Sequence, residues 1–140
     1  LCGITSRCLG KPMTIAERER AHVRLTEMPL IFHFSKINLN ITSKSIRTGL
    51  PLRIFDILGC GGFCLTNYQS ELADYFTIGQ DLECYTDAND LSEKVTYYLS
   101  HEEERAEIAR NGFETVQKYH NYPERLLQML TLAYNIKEDK

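Results

Sequence analysis

KINLNITSKSIRTGLPLRIFDILGCGGFCLTN, residues Lys36 to Asn67, reads as strand, polar loop, helix, glycine turn and second strand. Ile37, Leu39 and Ile41 alternate with Asn38, Asn40 and Thr42 in the period-two pattern of a strand. Asn is a poor strand former, so its repetition there asks for a reason. A polar loop follows, with Ser43, Lys44, Ser45, Arg47 and Thr48 ahead of Gly49. Pro51 then stands where a first helical turn has no use for an N–H. Leu52, Phe55, Leu58 and Gly59 fall near one face of the expected helix, which runs out at Gly59, Cys60, Gly61 and Gly62. The apolar run Phe63 to Thr66 is expected to be a buried parallel strand.

The first N–H groups of such a helix have no intrahelical partner, and the helix dipole favours an anion in front of them. Arg53, in the first turn, can grip a phosphate with two N–H groups, and Lys44 and Arg47 add charge from the loop. Asp56, one turn on, is suited to accept hydrogen bonds from sugar hydroxyls. Without a ligand, the same two residues read as a solvated i,i+3 pair on a helix surface.

Downstream the alternation continues. Asn67, Tyr68, Gln69 and Ser70 follow the second strand at its carboxyl end, where open α/β sheets gather ligands; Asn67 or Ser70 equally suits the cap of a short helix, Glu71 to Phe76. Leu82 to Tyr85 is a third expected strand, and Asp87 to Asp90 a turn and cap. Leu91, Val95, Tyr98 and Leu99 lay one apolar face on the sheet. Ser100 with Glu103 forms an expected capping box for a helix whose Ala109, Phe113 and Val116 face inward, while Glu102, Glu103, Glu104, Arg105, Glu107 and Arg110 stay in water. Gly112 in that helix marks a close approach or a bend. His120 to Pro123 break the pattern before a last helix with Leu126, Leu127, Leu130 and Tyr134 along one side. Upstream, Met13 to Leu25 favours a helix with a weak apolar stripe, Leu1 to Thr5 suits a stray strand, and Met28 to Phe34 reads as an apolar helix feeding the first strand.

At 140 residues the chain suits one domain with a real core. Hydrophobic residues at 43% and charged ones at 25% disfavour disorder and membrane spanning. Sixteen basic against nineteen acidic residues leave a net charge of −3, which argues against a nucleic-acid binder and confines phosphate binding to a local site. Five cysteines, at Cys2, Cys8, Cys60, Cys64 and Cys84, are no disulfide framework and fit a reducing cytoplasm. Cys60 and Cys64 flank the glycine turn with no second pair to complete a metal set, so they are expected to pack the sheet, and no structural metal is expected. His22, His33, His101 and His120 stand in no recognisable catalytic spacing, so the general base is expected outside this chain.

INLNIT, GLPLRIFDILGCGGFCLTNYQ, YYLSHEEERAEIARNG and YPERLLQML, in this order between Met28 and Leu130, resemble the C-terminal part of the CgeB-like glycosyltransferases, a branch of the group-1 sugar transferases. The resemblance implies a GT-B enzyme whose two Rossmann-like halves face a cleft. This chain would be an incomplete C-terminal half, an α/β domain with a parallel sheet flanked by helices. It divides into a poorly defined segment 1–27 and a nucleotide-sugar-binding domain 28–140. By that match Arg53 resembles a diphosphate ligand and Asp56 the acidic residue on the donor's ribose. Gly49 keeps the loop close to the pyrophosphate, and Ser45, Lys44 and Asn40 complete the expected donor-binding set. Many group-1 enzymes carry two glutamates eight positions apart; here Thr48 stands eight before Asp56.

The implied function is donor binding for glycosyl transfer to an acceptor. A nucleoside-diphosphate sugar serves as substrate and no cofactor is expected. The partners implied are that donor, the acceptor and an N-terminal GT-B half, with self-association as a way to cover an exposed edge. A fragment without that half is expected to be inactive alone. The rival readings are a non-catalytic α/β scaffold derived from a glycosyltransferase and, further behind, a phosphoacceptor domain, which Asn38 and Asn40 in place of acids oppose.

Overall fold

The computed structural model describes residues 27–43 and 49–134. The expected upstream strand and helix, at 1–5 and 13–25, lie outside them. Among the described residues a mixed α/β fold runs α1 (Met28–Phe34), β1 (Asn38–Asn40), α2 (Leu52–Gly59), β2 (Cys64–Asn67), α3 (Leu72–Tyr75), β3 (Glu83–Tyr85), α4 (Ala88–Ser100), α5 (Glu102–Tyr119) and α6 (Tyr122–Tyr134). The strands form a parallel sheet in the order β1-β2-β3, pairing Asn38 with Cys64, Asn40 with Thr66, and Thr66 with Cys84. This is the expected parallel sheet flanked by helices, a Rossmann-like arrangement.

Two apolar clusters sandwich the sheet. Phe32, Ile54, Ile57, Leu58, Cys64 and Val116 belong to one, and Phe63, Leu65, Tyr85, Tyr98 and Ile108 to the other. Cys64 and Leu65 are successive residues of β2 and enter opposite clusters, which is why the strand is apolar without a polar face. Each fully buried Ile or Leu contributes about 1.5–3 kcal/mol relative to exposure.

The asparagines of β1 find their reason in this layering. Asn38, Asn40 and Thr42 are buried, whereas Ile41 is exposed. Asn38 Nδ2 donates to the Phe32 carbonyl at 2.9 Å, satisfying an acceptor that the end of α1 leaves without a helical partner. Asn40 Nδ2 donates to Thr66 Oγ1 at 3.0 Å across the ladder.

Several side chains depart from expectation. α2 buries Ile54, Ile57 and Leu58 while Leu52 is 78% exposed. At ~100° per residue Leu52 lies nearly opposite Ile54. Ser100 does not cap α5: it is the last residue of α4, and its hydroxyl donates to the Tyr97 carbonyl at 2.8 Å. With only His101 between the two helices, Ser100 stays helical and lacks the extended backbone of a cap. Neither Asn67 nor Ser70 caps α3, which Glu71 precedes.

Arg105, expected in water, is 7% exposed. Its Nη1 donates to the Tyr98 carbonyl at 2.7 Å, one of the acceptors the end of α4 leaves open, and Nη2 lies 3.8 Å from the Glu102 carboxylate. On α4 and α5, Leu99 and Phe113 are partly exposed rather than packed inward, while Tyr98, Ile108, Ala109 and Val116 are buried. Gly112 is a close approach and not a bend: α5 continues to Tyr119, and a Cβ there would fall on the Asp81 carbonyl. α6 carries no buried residue, and its leucines are exposed.

Candidate functional site at the carboxyl ends of the strands

β1, β2 and β3 all end on one side of the sheet, and the segments that leave them line a crevice of about 850 Å³. Main-chain and side-chain bonds extend the ladder beyond the strands. The Thr42 N–H donates to Asn67 Oδ1 at 2.6 Å, and the Tyr68 N–H donates to the Tyr85 carbonyl at 2.8 Å. The floor is therefore held on both sides of β2. Around it stand hydroxyls, amides and acids, among them Thr42, Asn67, Gln69, Glu71, Thr86 and Asp87. Asp87 is occupied as the cap of α4, accepting from the Asn89 and Asp90 N–H groups at 2.8 and 3.0 Å. The Thr86 N–H donates to Asp90 Oδ2 at 2.8 Å, and chiefly for that reason the Asp90 carboxyl lies below its ordinary range.

The residues expected to bind a donor are distributed unevenly about this crevice. Gly49 adopts φ +88°, a left-handed conformation suited to glycine, and its N–H donates to Glu71 Oε2 at 2.6 Å. The loop before α2 is thereby tied to the crevice wall. Arg53 is exposed on the first turn of α2, directly after Pro51 and Leu52. Asn40 lies one register position from the end of β2, 2% exposed, with its amide engaged by Thr66. Asp56 lines a different groove, of about 770 Å³, formed by α2, the end of α5 and α6. Lys44 and Ser45 lie outside the described residues, as do Arg47 and Thr48.

A model of a glycosyl transferase-like family matches residues 3–131 of the 140. The chain belongs to the glycosyl transferase-like family. No curated protein and no solved structure matches it.

In this glycosyl transferase-like chain the groove that holds Asp56 is aromatic at one end. His120 packs its ring against Phe55, Tyr75 and Phe76, with centroids 5.6, 5.8 and 5.2 Å away. Arg125 Nη2 donates to His120 Nδ1 at 2.7 Å, and His120 Nε2 donates to the Tyr75 carbonyl at 3.1 Å. A guanidinium only donates and a carbonyl only accepts, so the imidazole carries its proton on Nε2. This contact fastens the start of α6 to α3.

A second polar cluster of the same chain is structural. Lys94 Nζ lies 3.1 Å from Glu83 Oε1 and 3.5 Å from Asp90, and also donates to the Cys84 carbonyl. The Tyr98 hydroxyl donates to Glu83 Oε2 at 3.0 Å. Burial, and then the Glu83 charge, push the Tyr98 phenol well above its usual range. Burial lowers the Lys94 ammonium, but the carboxylates of Glu83 and Asp90 outweigh it and the net shift is upward. The cluster clamps α4 onto β3.

Of the two cysteines expected to pack the sheet, Cys64 is buried in the first cluster, where burial pushes its thiol up to about 12, and Cys60 is half-buried against the same cluster; Cys84 is buried there as well. Among the described residues no group of three or more His, Cys, Asp or Glu is placed to hold a metal ion. Among them also, no helix is long and apolar enough to cross a membrane.

Glu71 is the wall residue that sequence reasoning missed. Its position after the polar run Asn67 to Ser70 suggested only a helix start. Its contact with Gly49, twenty-two residues away in sequence, leaves no local signal.

Proposed function

We propose that residues 28–140 are the donor-binding half of a CgeB-like glycosyltransferase of GT-B architecture, acting in the cytoplasm on a nucleoside-diphosphate sugar. The observation that carries this reading is the crevice at the carboxyl ends of three parallel strands, with the Gly49 loop fixed to its wall and Arg53 beside that loop on α2. In it, Arg53 and Gly49, with Ser45 and Lys44 of the adjoining loop, take the diphosphate. Asp56, which lines the separate groove of α2, α5 and α6, takes no part in this crevice, and Asn40 supports the crevice from below through Thr66. Neutralising the diphosphate as it leaves lowers the barrier by fixed charge and position, so the reading needs no separate cofactor. The acceptor and the base that deprotonates it belong to a second, N-terminal half.

The test is calorimetric titration of the chain, and of the full-length enzyme, with a panel of nucleoside diphosphates. Arg53→Ala is expected to weaken binding about tenfold, the scale of one charged hydrogen bond. Unchanged affinity in that variant removes Arg53 from the site. Failure of every nucleoside diphosphate to bind favours the non-catalytic scaffold reading instead.

A further inference from the structure

The Gly49 N–H is held by an anion that belongs to the chain itself. Glu71 Oε2 accepts it at 2.6 Å, and Glu71 stands in the crevice wall near Asn67 and Gln69. A hydrogen bond to an ionised acceptor is shorter and roughly twice as strong as a neutral one. Among the described residues nothing lies within 4 Å of where a Gly49 Cβ would stand, so glycine there answers to backbone direction. The charged residues of the described crevice wall are Glu71 and Asp87, and Asp87 is committed to the start of α4. The wall therefore offers one acidic side chain not committed to a helix cap, and it rests on the N–H of the glycine expected to keep its loop close to the diphosphate.

We propose that Glu71 is a positioning residue that occupies the Gly49 N–H as an internal stand-in for the donor's phosphate and is displaced when a nucleoside diphosphate binds. This rests on the donor-site reading above. Two anions compete for the one N–H donor, and a phosphate oxygen brought within about 4 Å of the carboxylate repels it. Glu71 then turns toward the crevice, where its oxygens accept from the hydroxyls of the bound donor. Displacement costs binding energy, but Gly49 at φ +88° already directs its N–H toward the crevice wall.

Glu71→Gln tests this, because the amide oxygen can still accept from Gly49 while the competing charge is gone. In the full-length enzyme its affinity for a nucleoside diphosphate is expected to rise roughly fivefold, as a neutral acceptor is easier to displace. Affinity for the corresponding nucleoside, which has no phosphate, is expected to stay the same. Glu71→Asp, one methylene shorter and still charged, is expected to fall between the two and serves if the glutamine variant folds poorly. A purely structural contact would leave diphosphate affinity unchanged or lower in both variants. If the parent binds a nucleoside diphosphate and neither variant binds it more tightly, displacement is overturned and the donor site stands. If parent and variants alike bind none, the donor-site reading falls and Glu71's role falls with it.

Discussion

Gly112 of α5 lies against the main-chain carbonyl of Asp81, and a Cβ at Gly112 would also stand 2.8 Å from Leu58 Cδ2. The glycine brings α5 down onto the turn before β3 and onto α2 at once. Gly112→Ala adds about 1 kcal/mol of helix propensity but forces two backbones apart, and overpacking of that kind costs about 1–3 kcal/mol. Net destabilisation of the chain is expected in urea unfolding. An increase in the midpoint would show that α5 can shift without cost.

Arg105 closes the corner between α4 and α5 through the Tyr98 carbonyl, 2.7 Å from its Nη1. Arg105→Met keeps the apolar stem and removes the donor, leaving a buried carbonyl without its partner. The expected loss is about 1.5–3 kcal/mol, read as a lower denaturation midpoint with an unchanged slope. A loss below about 0.5 kcal/mol, the ordinary range for a surface substitution, would place Arg105 in water after all.

Lys94 gives the fold an alkaline edge. Its folded-state pKa is raised above the ordinary lysine value of 10.5, so its stabilisation is fully present below that pH and is lost as pH rises through the higher folded value. The raised phenol of Tyr98 acts in the same direction, so the informative quantity is the difference between the parent and Lys94→Met. Thermal midpoints are expected to favour the parent below about pH 10 and to converge as pH rises through the raised folded-state value of Lys94. Parallel curves across that range would remove Lys94 from the clamp.

Sequence made the order of strands and helices legible because the signals there are local. The apolar run before Asn67, the third strand before Thr86 and the Asp87 cap all appear near their expected places. What was not legible depends on layers meeting. Asn40 looks like a weak strand residue until Thr66 supplies its acceptor, and Arg105 looks solvated until the end of α4 arrives above it. At the candidate site, the polar run at the end of β2 pointed to the crevice. The rotation of α2 turned Asp56 toward a different groove, and Glu71 became visible only through Gly49. Period and spacing tell which residues share an element. They do not tell which neighbour each will face.

α6 stands apart from this interdependence. Neither apolar cluster includes a residue beyond Val116, and α6 is fastened at its first turn by Arg125 on His120. Its leucines therefore lie outside the cooperative unit that the sheet defines. Changes along α6 escape the penalty that folding places on Ile54 or Leu65, so its composition can drift, or be selected, on a different account from that of the body it extends.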